Sequence, residues 1–220
     1  VAEHTMALIL GWFKNIVYLD SFLKAHRDSR ELRYSGGELC GKTAGIIGLG
    51  AIGQRVSSLC RAFGMNVLGY ARHPKSVQGV ETVSLDELLA RSDVVSIHVP
   101  ATPETRHMIG RQAFQKMKPS AVLVNTARGA VVHEEALIEA LSDHQIAGAC
   151  LDVYEEEPLP QASRLRELPN VILTPHTAGY PDGVKLHEKR YSFFSSNIRQ
   201  AWSGEMPANL LNRDAWKAWR

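Results

Sequence analysis

The sequence has little of what would make it a disulfide scaffold, a membrane span or a coat for nucleic acid. Its 220 residues hold only three cysteines, Cys40, Cys60 and Cys150. They form neither an even framework nor a CxxC pair, which points to a reducing compartment, the cytoplasm. Neither sign of charge dominates: 25 Lys and Arg stand against 23 Asp and Glu, for a formal net charge of +2. A general affinity for nucleic acid or anionic lipid is therefore not expected. No apolar run approaches the roughly 20 residues that a transmembrane helix needs. None of the nine histidines falls in an HExxH spacing, so no metal site is expected. The first residue is Val1, and the opening stretch lacks the basic start and cleavage site of a signal peptide. It reads as a helix in the middle of a longer protein.

What is present is ordinary globular composition, 45% apolar and 22% charged. The length corresponds to about one and a half domains of typical size. Residues 1–24 carry Met6, Ile9, Leu10, Phe13, Ile16 and Val17 at helical spacing. Leu8, Trp12 and Tyr18 lie off that stripe, as in a helix that bridges domains or subunits. From Thr43 onward short apolar strands alternate with helices. Six strands are expected, at residues 43–47, 66–71, 93–99, 121–125, 146–151 and 171–173. Ser84 and Glu87 form a capping box at the start of one intervening helix. Continuous apolar strands alternating with helices predict a doubly wound α/β fold with a parallel sheet (Rossmann type) over residues 1–179. Residues 180–202 then read as one long amphipathic segment before a Trp-rich tail.

Two glycine motifs compete. Gly36, Gly41, Lys42 and Thr43 match the P-loop spelling, but a strand follows Thr43 where a P-loop needs a helix. That match reads as a turn into the first strand. Gly48-Leu49-Gly50-Ala51-Ile52-Gly53 follows a strand and opens a helix, the context in which GxGxxG binds a dinucleotide. Gly48 permits the tight turn, Gly50 the approach of a pyrophosphate, and Gly53 close helix packing. At the end of the second strand, an acid would hold a ribose 2′-hydroxyl. Here Ala71, Arg72, His73 and Lys75 stand instead. A guanidinium suits a 2′-phosphate, so NADP(H) is expected over NAD(H).

Three further segments follow the fourth, fifth and sixth strands: Asn125-Thr126-Ala127-Arg128-Gly129, residues 151–158 with three consecutive glutamates, and Thr174-Pro175-His176-Thr177-Ala178-Gly179. Open α/β sheets bind ligands at these strand ends, so an Arg, an acid and a His converge on one crevice.

With these segments in this order, residues 1–179 resemble the D-isomer-specific 2-hydroxyacid dehydrogenases. The resemblance implies hydride transfer between a nicotinamide and the C2 carbon of a small 2-oxo or 2-hydroxy acid. It implies that Arg128 holds the substrate carboxylate and that His176 exchanges the proton; a free imidazole titrates at about 6.5, near neutrality. Glu157, the glutamate immediately before the proline, would pair with His176 and stabilise the imidazolium. Asp152 would sit near the nicotinamide carboxamide, Val99 and Pro100 along the adenine, and Thr126 and Ala127 beside the cofactor. The basic cluster tilts the expectation toward the NADPH-linked reductases of glyoxylate or hydroxypyruvate. Glu157 disfavours a formate dehydrogenase, which carries Gln there. The family also includes dinucleotide-dependent corepressors, the alternative reading, though these keep an acidic NAD contact. Residues 180–183 replace a prompt helix start, so the substrate wall is expected to differ locally. The helix of residues 1–24 implies a homodimer. Residues 180–220 would belong to or pack on a substrate domain whose N-terminal part precedes Val1.

Overall fold

The computed structural model describes every residue except 26, 27, 29, 31, 33–35, 74, 75, 180–183, 219 and 220. Helices α1 (Ala2–Phe13) and α2 (Ile16–Lys24) precede a sheet of seven strands. The strands are β1 (Thr43–Ile47), β2 (Asn66–Tyr70), β3 (Glu81–Thr82), β4 (Val94–Ile97), β5 (Val122–Asn125), β6 (Gly148–Leu151) and β7 (Val171–Leu173). All neighbours pair in parallel, in the order β3-β2-β1-β4-β5-β6-β7. The order reverses between β1 and β4, which opens a crevice at their carboxyl ends. Between the strands run α3 (Ala51–Ala62), α4 (Leu85–Arg91), α5 (Arg111–Lys116) and α6 (Glu134–Ser142).

Strand side chains alternate between two buried layers, as a period of two requires. Ala44, Ile46, Val94, Val122, Val124 and Cys150 face α1 and α3, where they meet Met6, Ile9, Val56 and Cys60. Ile47, Val95, Ile97, Leu123 and Leu151 face the other side, with Leu88, Phe114, Leu137 and Leu141. Ser84 starts α4 by accepting from the Glu87 amide at 3.2 Å. The edge strand β3 is a seventh, unexpected one: two exposed polar residues carry no apolar-run signal.

The expectation of one helix across residues 1–24 fails. Asn15 takes a left-handed conformation (φ 50°), and α1 and α2 meet at a 61° bend. A short polar side chain tolerates that conformation, and the apolar spacing carries no sign of it. The two helices then differ. In α1, Thr5, Met6, Leu8 and Ile9 are buried, whereas in α2 Ile16, Val17, Tyr18 and Leu23 are exposed. Among the described residues no single helix is long and apolar enough to cross a membrane. The false P-loop is a turn: Gly41 sits at φ +78°, and Thr43 begins β1.

Contacts divide the chain into two units, Val1–Ala178 and Gly179–Arg220. The second holds α7 (Val184–Trp202) and α8 (Arg213–Ala218), and Phe193, Phe194, Ile198 and Trp202 of α7 are exposed.

Ile9 is wholly buried, while Ile16 is 56% exposed. Ile9→Ala should therefore destabilise the fold by about 3 kcal/mol. Ile16→Ala should cost under about 0.5 kcal/mol, both read by urea denaturation.

Candidate active site

The glycine turn forms because β1 ends on it and α3 starts from it. Gly48 has φ +99°, and a Cβ there would lie 2.5 Å from the His98 carbonyl oxygen at the end of β4. Gly53 packs against the same turn: its Cβ would fall 1.9 Å from the Gly48 carbonyl oxygen. At Gly50 a Cβ would meet no protein atom within 4 Å. The protein itself therefore does not demand glycine there, whereas an incoming phosphate would. Gly50 is the N-cap of α3 and supplies no side-chain cap, so the first amides of that helix, including those of Ala51 and Ile52, are open to an anion. These residues fit a dinucleotide pyrophosphate.

Beyond β2, Ala71 is half-buried and Arg72 and His73 are exposed. Lys75, the remaining member of the basic cluster, lies outside the described residues. The carboxyl of Glu104, in the loop after β4, is held below its usual range, mainly by a hydrogen bond from Thr102 and to a lesser degree by the charge of Arg72. Val99 and Pro100 lead into that loop, where the Thr105 hydroxyl donates to the Pro100 carbonyl at 2.6 Å. Beneath it, burial pushes the His98 imidazole down to about 4, and its Nε2 lies 2.9 Å from Ser96 Oγ.

Arg128, Glu157 and His176 come from the loops after β5, β6 and β7, three adjacent strands. Asn125, almost fully buried, shapes the first loop: its side chain accepts from the Ala127 amide at 3.0 Å and donates to the Arg128 carbonyl at 3.0 Å. Arg128 is exposed, and its Nη1 donates to the Ala127 carbonyl at 2.6 Å. Thr126 is buried and bonds through its hydroxyl to Thr5 of α1 at 2.9 Å.

His176 and Glu157 meet. Nδ1 lies 2.6 Å from Oε2, with the side chains 46% and 33% exposed. The other Glu157 oxygen accepts from the Tyr154 amide at 3.0 Å. Tyr154 crosses to the His176 loop, its hydroxyl donating to the Thr174 carbonyl at 2.8 Å. Burial pushes that phenol up to about 12, so it stays a donor. The three glutamates have separate surroundings. Glu156 is exposed, while Glu155 pairs with His107 at 2.5 Å and exchanges hydrogen bonds with Glu134 at the start of α6. Burial is also the largest cause holding the Glu134 carboxyl above its usual range.

The Arg128 loop and the glutamate loop touch at Gly129, where a Cβ would fall 1.8 Å from the Tyr154 carbonyl oxygen.

Asp152 is fully buried. Its carboxylate accepts from the Thr174 hydroxyl at 2.5 Å and the Thr177 and Ala178 amides at 2.9 and 2.8 Å. His176, between these anchors, holds φ +55°, a costly conformation for a residue with a Cβ. His4 of α1 reaches the same cluster, with Nε2 3.1 Å from Thr174 Oγ1 and 3.4 Å from Asp152 Oδ1. Sequence reasoning missed His4, Thr5, Tyr154 and the His107–Glu155 pair. Residues 180–183, expected to alter the substrate wall, lie outside the described residues. No group of three or more metal-ligating side chains occurs among the described residues.

A doubly wound sheet with an open glycine turn at its reversal point, and a His–Glu pair beyond it, defines a dinucleotide-binding domain. Residues 6–178 match the model of the D-isomer specific 2-hydroxyacid dehydrogenase NAD binding domain, and the chain belongs to that family. It is 40% identical over 226 residues to a glyoxylate reductase of Aeropyrum pernix, covering 98% of this chain and 67% of that protein. It is 43% identical over 217 residues to a D-3-phosphoglycerate dehydrogenase of Methanocaldococcus jannaschii, covering 96% of this chain and 41% of that one. Among solved structures, the NADPH-dependent glyoxylate/hydroxypyruvate reductase of Sinorhizobium meliloti, in complex with NADP and sulfate, superposes with a TM-score of 0.82 at 29% identity. That match covers 98% of this chain and 68% of the other. The chain thus spans from about two-fifths to two-thirds of these relatives.

The neutral His98 gives a pH signature. As pH falls below 6.5 the unfolded chain protonates this residue first, because the folded imidazole waits until about 4. Stability is therefore lost between those values and levels off below them. Urea denaturation across pH 4 to 7 should fall less steeply for His98→Gln than for the wild type.

Proposed function

We propose that this chain is the cofactor-binding part of an NADP(H)-linked reductase of small 2-oxo acids, with glyoxylate and hydroxypyruvate as the favoured substrates. The observation that carries the reading is the 2.6 Å pair between His176 Nδ1 and Glu157 Oε2. It fixes the imidazole so that Nε2 is the nitrogen left for a substrate.

When bound, the reduced dinucleotide supplies a hydride to the carbonyl carbon of the oxo acid. His176 delivers the proton from Nε2 to the carbonyl oxygen, giving the 2-hydroxy acid, and in the reverse direction takes it back. Glu157 orients the ring and stabilises the imidazolium charge. Arg128 binds the substrate carboxylate through the guanidinium nitrogens left over from its bond to Ala127. Gly48, Gly50, Ala51, Ile52 and Gly53 cradle the pyrophosphate. Val99 and Pro100 line the adenine side, and Thr126 and Ala127 the nicotinamide side. Asp152 serves that end of the cofactor by shaping the His176 loop.

Arg72 and His73, with Lys75, favour a 2′-phosphate, and no carboxylate occupies the end of β2 to hold a bare ribose hydroxyl. The exposed apolar residues of α2 support a homodimer, which sedimentation of the complete protein would test. Residues 180–220 would belong to or pack on the substrate domain. Three free cysteines suit a cytoplasmic setting.

The test is dinucleotide oxidation by the complete protein with glyoxylate, hydroxypyruvate and pyruvate. His176→Ala and Arg128→Ala should each lower kcat/KM by roughly 100-fold or more, and Glu157→Gln by a smaller factor. Arg72→Ala should weaken NADPH binding about tenfold and leave NADH nearly unchanged. Near-wild-type kcat/KM in all three active-site variants would sink the mechanism. Equal affinities for the two dinucleotides, in wild type and Arg72→Ala alike, would remove the NADP preference.

A further inference from the structure

The geometry points to His4 as a positioning residue for His176, acting through Thr174 and Asp152; this rests on the reading of His176 as the proton-transfer group.

The relay can be followed atom by atom. His4 Nε2 lies 3.1 Å from Thr174 Oγ1. The Thr174 hydroxyl spends its single proton on Asp152 Oδ1 at 2.5 Å, so toward His4 it acts as an acceptor and the imidazole as the donor. That assigns the Nε2–H form to His4, whether the ring is neutral or charged. The result is a chain running from α1 to a carboxylate with no exposed surface. Hydrogen bonds in such a chain polarise one another, the more so in a dry interior.

Asp152 needs this support because it holds both sides of a strained segment. Its oxygens take the Thr174 hydroxyl before His176 and the Thr177 and Ala178 amides after it. A positive φ at a non-glycine residue persists only where its surroundings over-determine it. Among the described residues, His4 is the one side chain able to carry positive charge that lies within ion-pair distance of Asp152. It is presented from a separate element, an α1 helix whose next residue, Thr5, is bonded to Thr126. The two residues at the start of α1 thus brace the loops bearing His176 and Arg128. No role in binding or chemistry was expected of either from sequence.

The experiment uses the complete protein and compares His4→Ala, His4→Gln and Thr174→Val. Glutamine carries an amide N–H near the position of the imidazole Nε2 and should rescue. Two readouts are taken. The first is steady-state reduction of glyoxylate with NADPH. The second, independent of turnover, is the low-field proton resonance of the His176–Glu157 hydrogen bond, assigned by its loss in Glu157→Gln. His4→Ala should lower kcat about tenfold, the scale of a small misplacement of a reacting group. It should leave the NADPH Kd within about twofold, and should shift or broaden the resonance. His4→Gln should restore both, and His4→Ala should add little in the Thr174→Val background. Wild-type kcat and an unmoved resonance in His4→Ala would overturn the proposal, as would equal damage by His4→Gln. If the wild type reduces no oxo acid while the resonance still answers to His4→Ala, the catalytic reading fails and the positioning role stands.

Discussion

The buried carboxylate of Asp152 is the constraint on which the rest of the site depends. A carboxyl group this deeply buried survives in a fold only when its oxygens are engaged, because a buried polar group without partners costs free energy. Here that requirement is met by drawing the segment from Thr174 to Ala178 around the carboxylate. The burial of the carboxyl group and the left-handed backbone of His176 are thus accommodated by one arrangement. If the loop opened, Asp152 would lose its donors; if Asp152 moved, His176 would relax from its left-handed backbone.

A second constraint is steric. The Arg128 loop and the glutamate loop approach so closely at Gly129 that any side chain would collide with the Tyr154 carbonyl. That contact keeps Arg128 and the His176–Glu157 pair in one frame although they come from different strands. The exchange between Glu155 and Glu134 ties the same frame to α6, and the Glu155–His107 pair ties it to the loop after β4. Two of three consecutive glutamates therefore do different work. Glu155 builds the frame, and Glu157 uses it.

The sheet was legible in the sequence because six of its strands are apolar on both faces, and a strand buried on both sides announces itself by composition alone. The edge strand β3 was not, since an edge of two polar residues needs no apolar signal. The break at Asn15 was hidden for a related reason: apolar spacing continues through Ile16 and Val17 although both are exposed, so a 61° turn redirects the chain without interrupting the pattern. The open glycine turn was legible from its context between a strand and a helix. His4 and Thr5 were not, yet they left a trace. Each stands four residues before a buried apolar residue, Leu8 and Ile9, and so shares its face of α1. A polar residue on the buried side of a helix needs a polar partner, and only the three-dimensional fold reveals which strand end supplies it.

The placement of charge along the crevice separates its two ends. At the β2 end, Arg72 is exposed, and its charge is only the smallest of the causes acting on the Glu104 carboxyl. At the β7 end, the carboxylates of Asp152 and Glu157 are already committed to the His176 loop and ring. The first end thus offers exposed side chains, while the second is fixed by the protein's own hydrogen bonds. On the proposed reading that division suits a catalyst: groups that only hold a cofactor can adapt, but groups that move a proton must stand in place beforehand, because reorganisation at that step would add directly to the barrier.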